Sequence, residues 1–182
     1  MKKLFAILAT AAFLAGCAST PQEKGADMLA EMQKEKTALI DKGVVAGFGI
    51  GESQDEMTAY NKADLAARED IARELESKLG NLSRSYTEEV GSELTKHYEE
   101  ITKNVVSQTL RGATLIKVKT EATEKTIKVY GIMVLDPKLV KDAFEAEMEA
   151  KQADVARMRA AKGYGDLNAE IAAYDQFKKE NQ

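Results

Sequence analysis

The sequence predicts an α+β fold: a small antiparallel three-stranded sheet packed on long helices, with a C-terminal helical extension. Three observations support this prediction. A strand pattern with a glycine at every second position lies near residue 47, a helical pattern extends from residue 53 to 110, and two alternating segments follow between residues 112 and 136. The 182 residues amount to one domain and are enough to bury a core.

The N-terminus has the pattern of a bacterial lipoprotein signal. Two lysines precede an apolar run over residues 4–14, which is too short to span a bilayer but typical of a signal peptide. The run ends in Leu14-Ala15-Gly16-Cys17, which resembles a lipobox. This resemblance implies cleavage before Cys17, acylation of its sulfur and of the new amino group, and palmitate among the attached chains. An ordinary secretory signal is the alternative.

The chain then divides into four predicted parts. Residues 1–16 are the signal peptide, 17–25 the acylated cysteine and a polar tether, 26–140 the α+β domain, and 141–182 the helical extension. Two or three acyl chains anchor a protein firmly, because each buried methylene contributes about 0.8 kcal/mol. Ala18 follows the cysteine, and by resemblance to other lipoproteins this residue favours the outer membrane, with the domain facing the periplasm or the cell surface.

The composition argues against two further features. The net charge of −4, with both signs interspersed, argues against nucleic acid as a partner. Cys17 is the only cysteine, so the acylated chain has no thiol left for a disulfide.

The alternating glycines permit two interpretations. A dinucleotide loop reads G-x-G-x-x-G and a P-loop ends in G-K-[ST], whereas this segment reads G-x-G-x-G without a following lysine. The predicted helix that follows begins with Ser53-Gln54-Asp55-Glu56, whose two carboxylates would repel a phosphate there. We therefore predict a β-strand with one flat face, on which a helix or another backbone packs closely, and no cofactor-binding residue. The close-packing motif consists of Gly47, Gly49 and Gly51 with the alanines Ala59, Ala63 and Ala67.

Apolar residues recur about every 3.8 residues from Ala59 to Val105, a longer spacing than the 3.6 residues of a helical turn. Such a stripe drifts around a straight helix, so we predict two helices, 53–79 and 82–108, with a break at Gly80-Asn81. Ser53 and Glu56 form a predicted capping box at the start of the first helix.

The remaining elements are predicted from caps and periodicity. A helix precedes the glycine strand and ends at Gly43, and two alternating segments form a hairpin. Asp136 caps a helix with Pro137 in its first position, which continues to about Ala161 and is stopped by the glycines of Gly163-Tyr164-Gly165. A short amphipathic helix follows.

The last strand of the predicted hairpin is apolar on both faces. One face carries Tyr130, Ile132 and Val134, and the other carries Val129, Met133 and Leu135. A single helical layer would bury one face only, so the other would be exposed and would mark an interface for self-association. Coverage by the helix from Pro137 is the alternative.

The sequence offers little for catalysis or metal binding. His97 is the only histidine, and together with Glu93 it makes a poor metal site. Four lysines on the hairpin, Lys117, Lys119, Lys125 and Lys128, are interpreted as edge protection, with contact to an acidic partner or to anionic headgroups as the alternative. No catalytic residue, metal ligand or cofactor is therefore predicted, and we expect a protein that is not an enzyme.

The residues of the predicted domain resemble a known family. The segments are Ala46-Gly47-Phe48-Gly49, the alanines at 59, 63 and 67, and the strand "VYGIMVLDP". Over residues 44–140 the chain is similar to the Lpp-twenty (twenty-kilodalton) family of bacterial lipoproteins, the broad group that includes the flagellar lipoprotein FlgP. This resemblance implies an outer-membrane-anchored α+β module, and some relatives assemble into rings or disks around the flagellar motor.

Two functions are consistent with the sequence. The first is a structural or assembly role in the cell envelope, including the flagellum, with the membrane, a second copy of the chain or an envelope complex as partner. The alternative is a periplasmic binding module that holds a small molecule or a glycan between the sheet and the helices. The absence of tryptophan disfavours a glycan site, since such sites usually offer one.

Overall fold

The computed structural model describes residues 21–90, 95–150 and 162–180. In chain order these form α1 (Pro21–Asp41), β1 (Val45–Ser53), α2 (Glu56–Val90), α3 (Thr95–Thr109), a short 3-10 turn (Leu110–Gly112), β2 (Thr114–Ala122), β3 (Ile127–Leu135), α4 (Pro137–Ala150) and α5 (Lys162–Glu180). The predicted α+β class, with a small antiparallel sheet and C-terminal helices, is confirmed.

The sheet has the strand order β1-β3-β2, and both pairings are antiparallel. The hairpin of β2 and β3 was predicted, and the register places Gly49 opposite Gly131 in β3, and Gly131 opposite Val118 in β2. A bulge between Leu115 and Lys117 interrupts the start of β2. Beyond the bulge, β2 pairs regularly with β3 as far as Ala122.

The local structure tests three predicted helix ends, of which two are confirmed and one is wrong. Gly43 has a φ of 79° and ends α1, and the amide of Val44 donates to the Leu39 carbonyl at 3.0 Å, which is a Schellman ending. Asp136 accepts from the amide of Lys138 at 2.9 Å, as predicted for the cap of α4. The predicted capping box of Ser53 is wrong, because Ser53 still belongs to β1.

Asp55 caps α2 in place of Ser53. Its carboxylate accepts hydrogen bonds from both the hydroxyl and the amide of Thr58, at 2.7 and 2.8 Å. These two bonds lower the pKa of Asp55. The strand therefore extends two residues further than the capping pattern indicated, and the polar segment between strand and helix is correspondingly short.

The predicted break at Gly80-Asn81 is also wrong, because α2 continues through both residues to Val90. The drifting stripe is buried by different surfaces in succession. Ala59 and Ala63 contact β3 at Val129, whereas Leu75 and Leu79, further along the helix, join a cluster with Ile101 of α3 and Phe144 of α4. A helix that meets two surfaces in turn needs no break to bury a drifting stripe.

We call the side of the sheet that α2 covers the front face. Its main cluster combines side chains of α2, α3, β3 and α4, among them the fully buried Ile71, Leu75, Ile101, Met133, Leu135, Phe144 and Met148. Residues 137–150, which span the predicted boundary at residue 140, therefore belong to this core through α4.

The opposite side, the back face, is buried as well. Tyr130, Ile132 and Val134 of β3 pack there against Met32 and Leu39 of α1, with Tyr174 and Phe177 of α5 alongside. The expectation that one face of the last strand is exposed is thus wrong. The covering elements are α1 and α5, whereas the helix from Pro137 lies on the front face.

Two helix ends differ from the sequence prediction. α1 begins at Pro21, so residues 21–25 of the predicted tether are helical. Gly163 and Gly165 lie in the first turn of α5, so they do not separate it from a preceding helix as predicted. Residues 151–161, where the end of the preceding helix was predicted, lie outside the described residues.

Candidate functional site

The glycines of β1 lie directly under the backbone of α2. A Cβ atom placed on Gly47, Gly49 or Gly51 would lie 2.4, 2.0 or 1.9 Å from the carbonyl oxygens of Ala67, Ala63 and Ala59, respectively. These three alanines are themselves fully buried. Each glycine of the strand therefore faces one alanine of the helix, at a spacing of two residues in β1 and four in α2.

This geometry decides between the two interpretations of the glycine segment. The segment is a β-strand, Val45–Ser53, and the space in front of its glycines is filled by helix backbone. A phosphate would need that same space, together with amide groups directed into it. The motif residues Gly47, Gly49, Gly51, Ala59, Ala63 and Ala67 thus form an internal packing contact.

Asp70 joins both helical layers to the edge of β1. Its Oδ2 atom accepts from the backbone amide of Phe48 at 2.9 Å and from the Lys36 ammonium of α1 at 2.5 Å, while Oδ1 accepts from Arg73 at 3.0 Å. Burial opposes ionisation of Asp70, but the bonds from Lys36 and Phe48 outweigh it and hold the pKa below its ordinary value. The carboxylate links α2, β1 and α1.

Sequence reasoning missed Asp70. The only available signal was an acidic residue directly before the buried Ile71, in a helix whose residues 63 and 67 face the sheet. Nothing in the sequence indicated that an amide of the edge strand and a lysine of another helix would reach it, because both partners are distant in the chain.

A groove of about 910 Å³ lies on the back face between α1 and α5. We call it the back groove. Its apolar lining is provided by Leu39, Ile116, Val134, Tyr174 and Phe177. Lys42, Lys117 and Lys178 stand around it with a single acidic residue, Glu35. Lys117 and Lys178 are paired with Glu35 and Asp136, so the groove combines an apolar wall with a rim of mixed charge, which suits a largely apolar ligand.

The α5 wall of this groove is held by polar contacts at several points. Lys178 donates to Asp136 at 3.2 Å, which raises the pKa of Lys178, and Lys78 of α2 donates to Glu170 at 2.7 Å. Lys78 also lies 3.2 Å from Glu74, a largely buried carboxyl whose pKa is raised by burial in spite of the lysine. These contacts tie α5 to α2 and to the start of α4.

A smaller recess of about 590 Å³ lies at the other end of the back face, near the hairpin turn. Glu52, Glu121 and Tyr130 line it, and the Tyr130 hydroxyl donates to Glu121 at 3.0 Å. Burial, followed by the hydrogen bond and the charge of Glu121, raises the pKa of Tyr130 to about 12. The hydroxyl therefore stays protonated and acts as a donor.

The hairpin lysines have acidic partners within the chain. Lys117 and Lys119 of β2 pair with Glu35 and Glu31 of α1, the latter at 2.5 Å. Lys128 lies 3.8 Å from Glu52 of β1. Three of the four lysines that were interpreted as edge protection are therefore directed along the back face.

The described residues contain no group of three or more histidine, cysteine, aspartate or glutamate side chains arranged to hold a metal ion. The side chain of His97 lies outside the described part of the chain, although its backbone belongs to α3. The lipobox residues Leu14, Ala15 and Gly16 and the predicted acylation site Cys17 also lie outside it.

Comparison with known proteins gives no relative: no family model and no curated protein matches the chain. Among the described helices, none combines the length and the apolar composition that crossing a membrane requires.

The glycine contact predicts a strong effect of a single methyl group. Gly49→Ala should lower the free energy of unfolding by about 3 kcal/mol or more, because the added carbon would overlap the Ala63 carbonyl. Gly80→Ala is the matched control, since the same methyl group at that helical position meets nothing within 4 Å. The control should gain up to about 1 kcal/mol. Urea unfolding of both variants measures this, and equal stabilities would contradict the close contact.

The Asp70 bridge predicts a pH dependence. Because the folded state lowers its pKa below the ordinary 3.8, its contribution is complete at higher pH and is lost as the pH falls below about 4. Asp70→Asn should lower the free energy of unfolding by about 1 kcal/mol at pH 7, after allowance for solvent screening. It should also flatten the acid limb of the stability curve, which is the fall in the free energy of unfolding below about pH 4. Asp64→Asn, which removes only a partly exposed pair with Arg68, should leave that limb unchanged. A steep acid limb in Asp70→Asn would contradict the assignment.

Proposed function

We propose that the protein is a lipoprotein anchored in the outer membrane through Cys17, with a structural or assembly role in the cell envelope. The observation that carries this proposal is the lipobox, Leu14-Ala15-Gly16-Cys17, at the end of an apolar segment of signal-peptide length. The resemblance to the Lpp-twenty family supports an envelope assembly, with the flagellum as one candidate. The partners under this proposal are the membrane and other envelope proteins, including copies of the chain.

The short spacer after the lipobox adds to this proposal. Pro21, the first described residue of α1, is four positions beyond Cys17, and four residues span at most about 14 Å. An anchored Cys17 would therefore hold the start of α1 close to the membrane surface. This suits a protein whose partners are at the membrane better than one that must reach far from it.

The distribution of charged and apolar residues supports a role without catalysis. In the described part of the chain, the best-connected carboxylate, Asp70, is committed to structural partners, and the glycine segment is filled by α2. Among the described residues, the back groove and the outer edge of β2 are two surfaces open to a partner. Both suit binding or assembly.

The anchoring proposal predicts the effect of replacing one atom. Cys17→Ser should abolish incorporation of labelled palmitate and remove the protein from the outer-membrane fraction after a high-salt wash, because a hydroxyl does not accept the thioether-linked lipid. Metabolic labelling and membrane fractionation measure this. A Cys17→Ser variant that is still labelled, or an unaltered chain that is never labelled, would contradict the proposal.

A binding module for a small molecule or a glycan is a second candidate, favoured by the back groove. A volume of about 910 Å³ falls in the range of small-molecule sites, and the groove combines aromatic and aliphatic walls with lysines. Tyr174 and Phe177 supply rings on which a ligand can stack.

Filling the groove tests the second candidate. Ala38 is exposed and lines the groove, so Ala38→Trp should fill it without disturbing the core. If the groove binds soluble peptidoglycan fragments, these should raise the melting temperature of the unaltered chain and leave that of Ala38→Trp unchanged. Thr37→Trp, at the neighbouring exposed position outside the groove lining, is the control and should respond like the unaltered chain. A chain that shows no shift with the fragments leaves the assembly role as the better proposal.

A further inference from the structure

The two edge strands of the sheet, β1 and β2, differ in the hydrogen bonds that their outer main-chain groups receive. On β1, the Asp70 carboxylate accepts from the amide of Phe48, and the Lys62 ammonium donates to the carbonyl of Glu52, both at 2.9 Å. Side chains of α2 thus satisfy main-chain groups along that edge. On β2, within the described residues, only β3 is hydrogen-bonded to the main chain. An uncovered strand edge of this kind is a template for another strand.

The side chains of β2 do not protect its edge. Ile116 and Val118 are 44% and 42% exposed, and Thr114 and Thr120 add further β-branched residues on the same strand. Lysines commonly guard an edge, but Lys117 and Lys119 are held by Glu35 and Glu31 over the back face. The bulge affects only the first part of the strand and leaves residues 117–122 regular.

The helices leave room beside this edge. On the front face α2 packs against β1 and β3, and on the back face α1 packs mainly against the same two strands. α1 reaches the back face of β2 through Glu31 and Glu35, which pair with its lysines, and through Gly25, which lies against Glu121. Among the described residues no hydrogen bond joins α1 or α2 to the main chain of β2, so the main-chain groups of its outer edge are open to a further strand.

We propose that β2 pairs with β2 of a second copy of this chain, antiparallel about a two-fold axis at Thr120, to form a continuous six-stranded sheet. This inference rests on the proposed assembly role and names its surface. Residues that meet across such a pair must lie on the same face, so the register can shift only in steps that preserve the faces. The charges on the back face then decide among the possible registers.

We compare three registers, with the two-fold axis at Val118, Lys119 or Thr120, and only the last is free of contacts between like charges. With the axis at Thr120, Lys119 lies opposite Glu121 of the second copy, twice by symmetry, and Val118 lies opposite Ala122. With the axis at Val118, Lys117 would meet Lys119 twice, and with the axis at Lys119 that lysine would meet its own copy. Opposite charges in directly facing positions stabilise a strand pair, and like charges destabilise it.

The same register places both membrane anchors together. Gly25, near the start of α1, lies against the carboxylate of Glu121, one residue from the proposed axis. A two-fold axis perpendicular to the sheet keeps both α1 helices on the back face. The two N-termini therefore emerge close to the axis on the same side, so both acylated cysteines can enter one bilayer. This geometry is independent of the charge pattern that selected the register.

Cross-linking at the axis tests the pairing in membranes that carry the full chain. Thr120→Cys should form a covalent dimer under mild oxidation or with a short bis-maleimide, because facing Cβ atoms are about 5 Å apart. Thr114→Cys is the matched control: it is an exposed threonine of the same strand, but its two copies would lie about 34 Å apart. It should not cross-link. A dimer from Thr114→Cys in similar yield, or none from Thr120→Cys, would overturn the proposal.

Charge exchange tests the register. Lys119→Glu and Glu121→Lys should each lower the cross-linking yield of Thr120→Cys at least about tenfold, because each creates two like-charge contacts. A mixture of the two variants restores both opposite-charge contacts, so mixed dimers should recover the yield even if each change slightly weakens the fold. Lys103→Glu, the same charge change on an exposed position of α3, should have no effect. Unaltered yields in the exchanged variants, or no recovery in the mixture, would overturn the register.

The outcome is separable from the anchoring proposal. A chain that takes up palmitate but does not cross-link at residue 120 would overturn the strand pairing and leave the anchor intact. A chain that cross-links at residue 120 without palmitate would support the pairing and contradict the anchor. The unaltered chain is the background control, since it cross-links only if Cys17 is a free thiol.

Discussion

The close contact between the backbones of α2 and β1 is the constraint on which the rest of the structure depends. Carbonyl oxygens of three successive helical turns lie within 2.4 Å of where the Cβ atoms of Gly47, Gly49 and Gly51 would be, so β1 tolerates no larger residue at these positions. Because the helix is held so close, it follows the strand for about three turns and then extends beyond the sheet. There Leu75 and Leu79 need another surface, which α3 and α4 provide. The position of the second half of the core thus follows from where this contact ends.

The same contact accounts for the second helical layer and for the difference between the two sheet edges. With α2 on the front face, the apolar back face of β3 needs a cover of its own, and α1 and α5 supply it through Met32, Leu39, Tyr174 and Phe177. α2 also lies near enough to β1 for Asp70 and Lys62 to reach its main chain. β2 lies on the far side of β3, beyond the reach of these side chains. Its edge is therefore open as a consequence of where the close contact is.

Part of the fold could be predicted from the sequence, because short local patterns determine several of its elements. Alternation identified β1 and the hairpin, Gly43 ended α1 because a left-handed φ favours glycine, and Asp136-Pro137 began α4. The wrong predictions for α2 and β3 have a common cause, because each element was interpreted from its own sequence without the elements that pack on it. Gly80 does not break α2, whose Leu75 and Leu79 just before it pack against α3 and α4, and β3 is covered by α1 and α5, two helices far from it in the chain. The Asp70 bridge and the back groove depend on the same distant contacts, so neither could be predicted.

Membrane attachment changes how strong an edge contact has to be. A single exposed strand of about six regular residues offers a small interface, and in free solution such a pairing is weak. Two chains anchored as proposed, with only three residues between Cys17 and Pro21, would meet in a thin layer and in a limited range of orientations, so their effective concentration would be high. Under the proposed anchoring, the acyl chains and the edge of β2 would serve complementary purposes. The acyl chains would confine the domain, and confinement would let an edge too small to hold two free domains together hold two anchored ones.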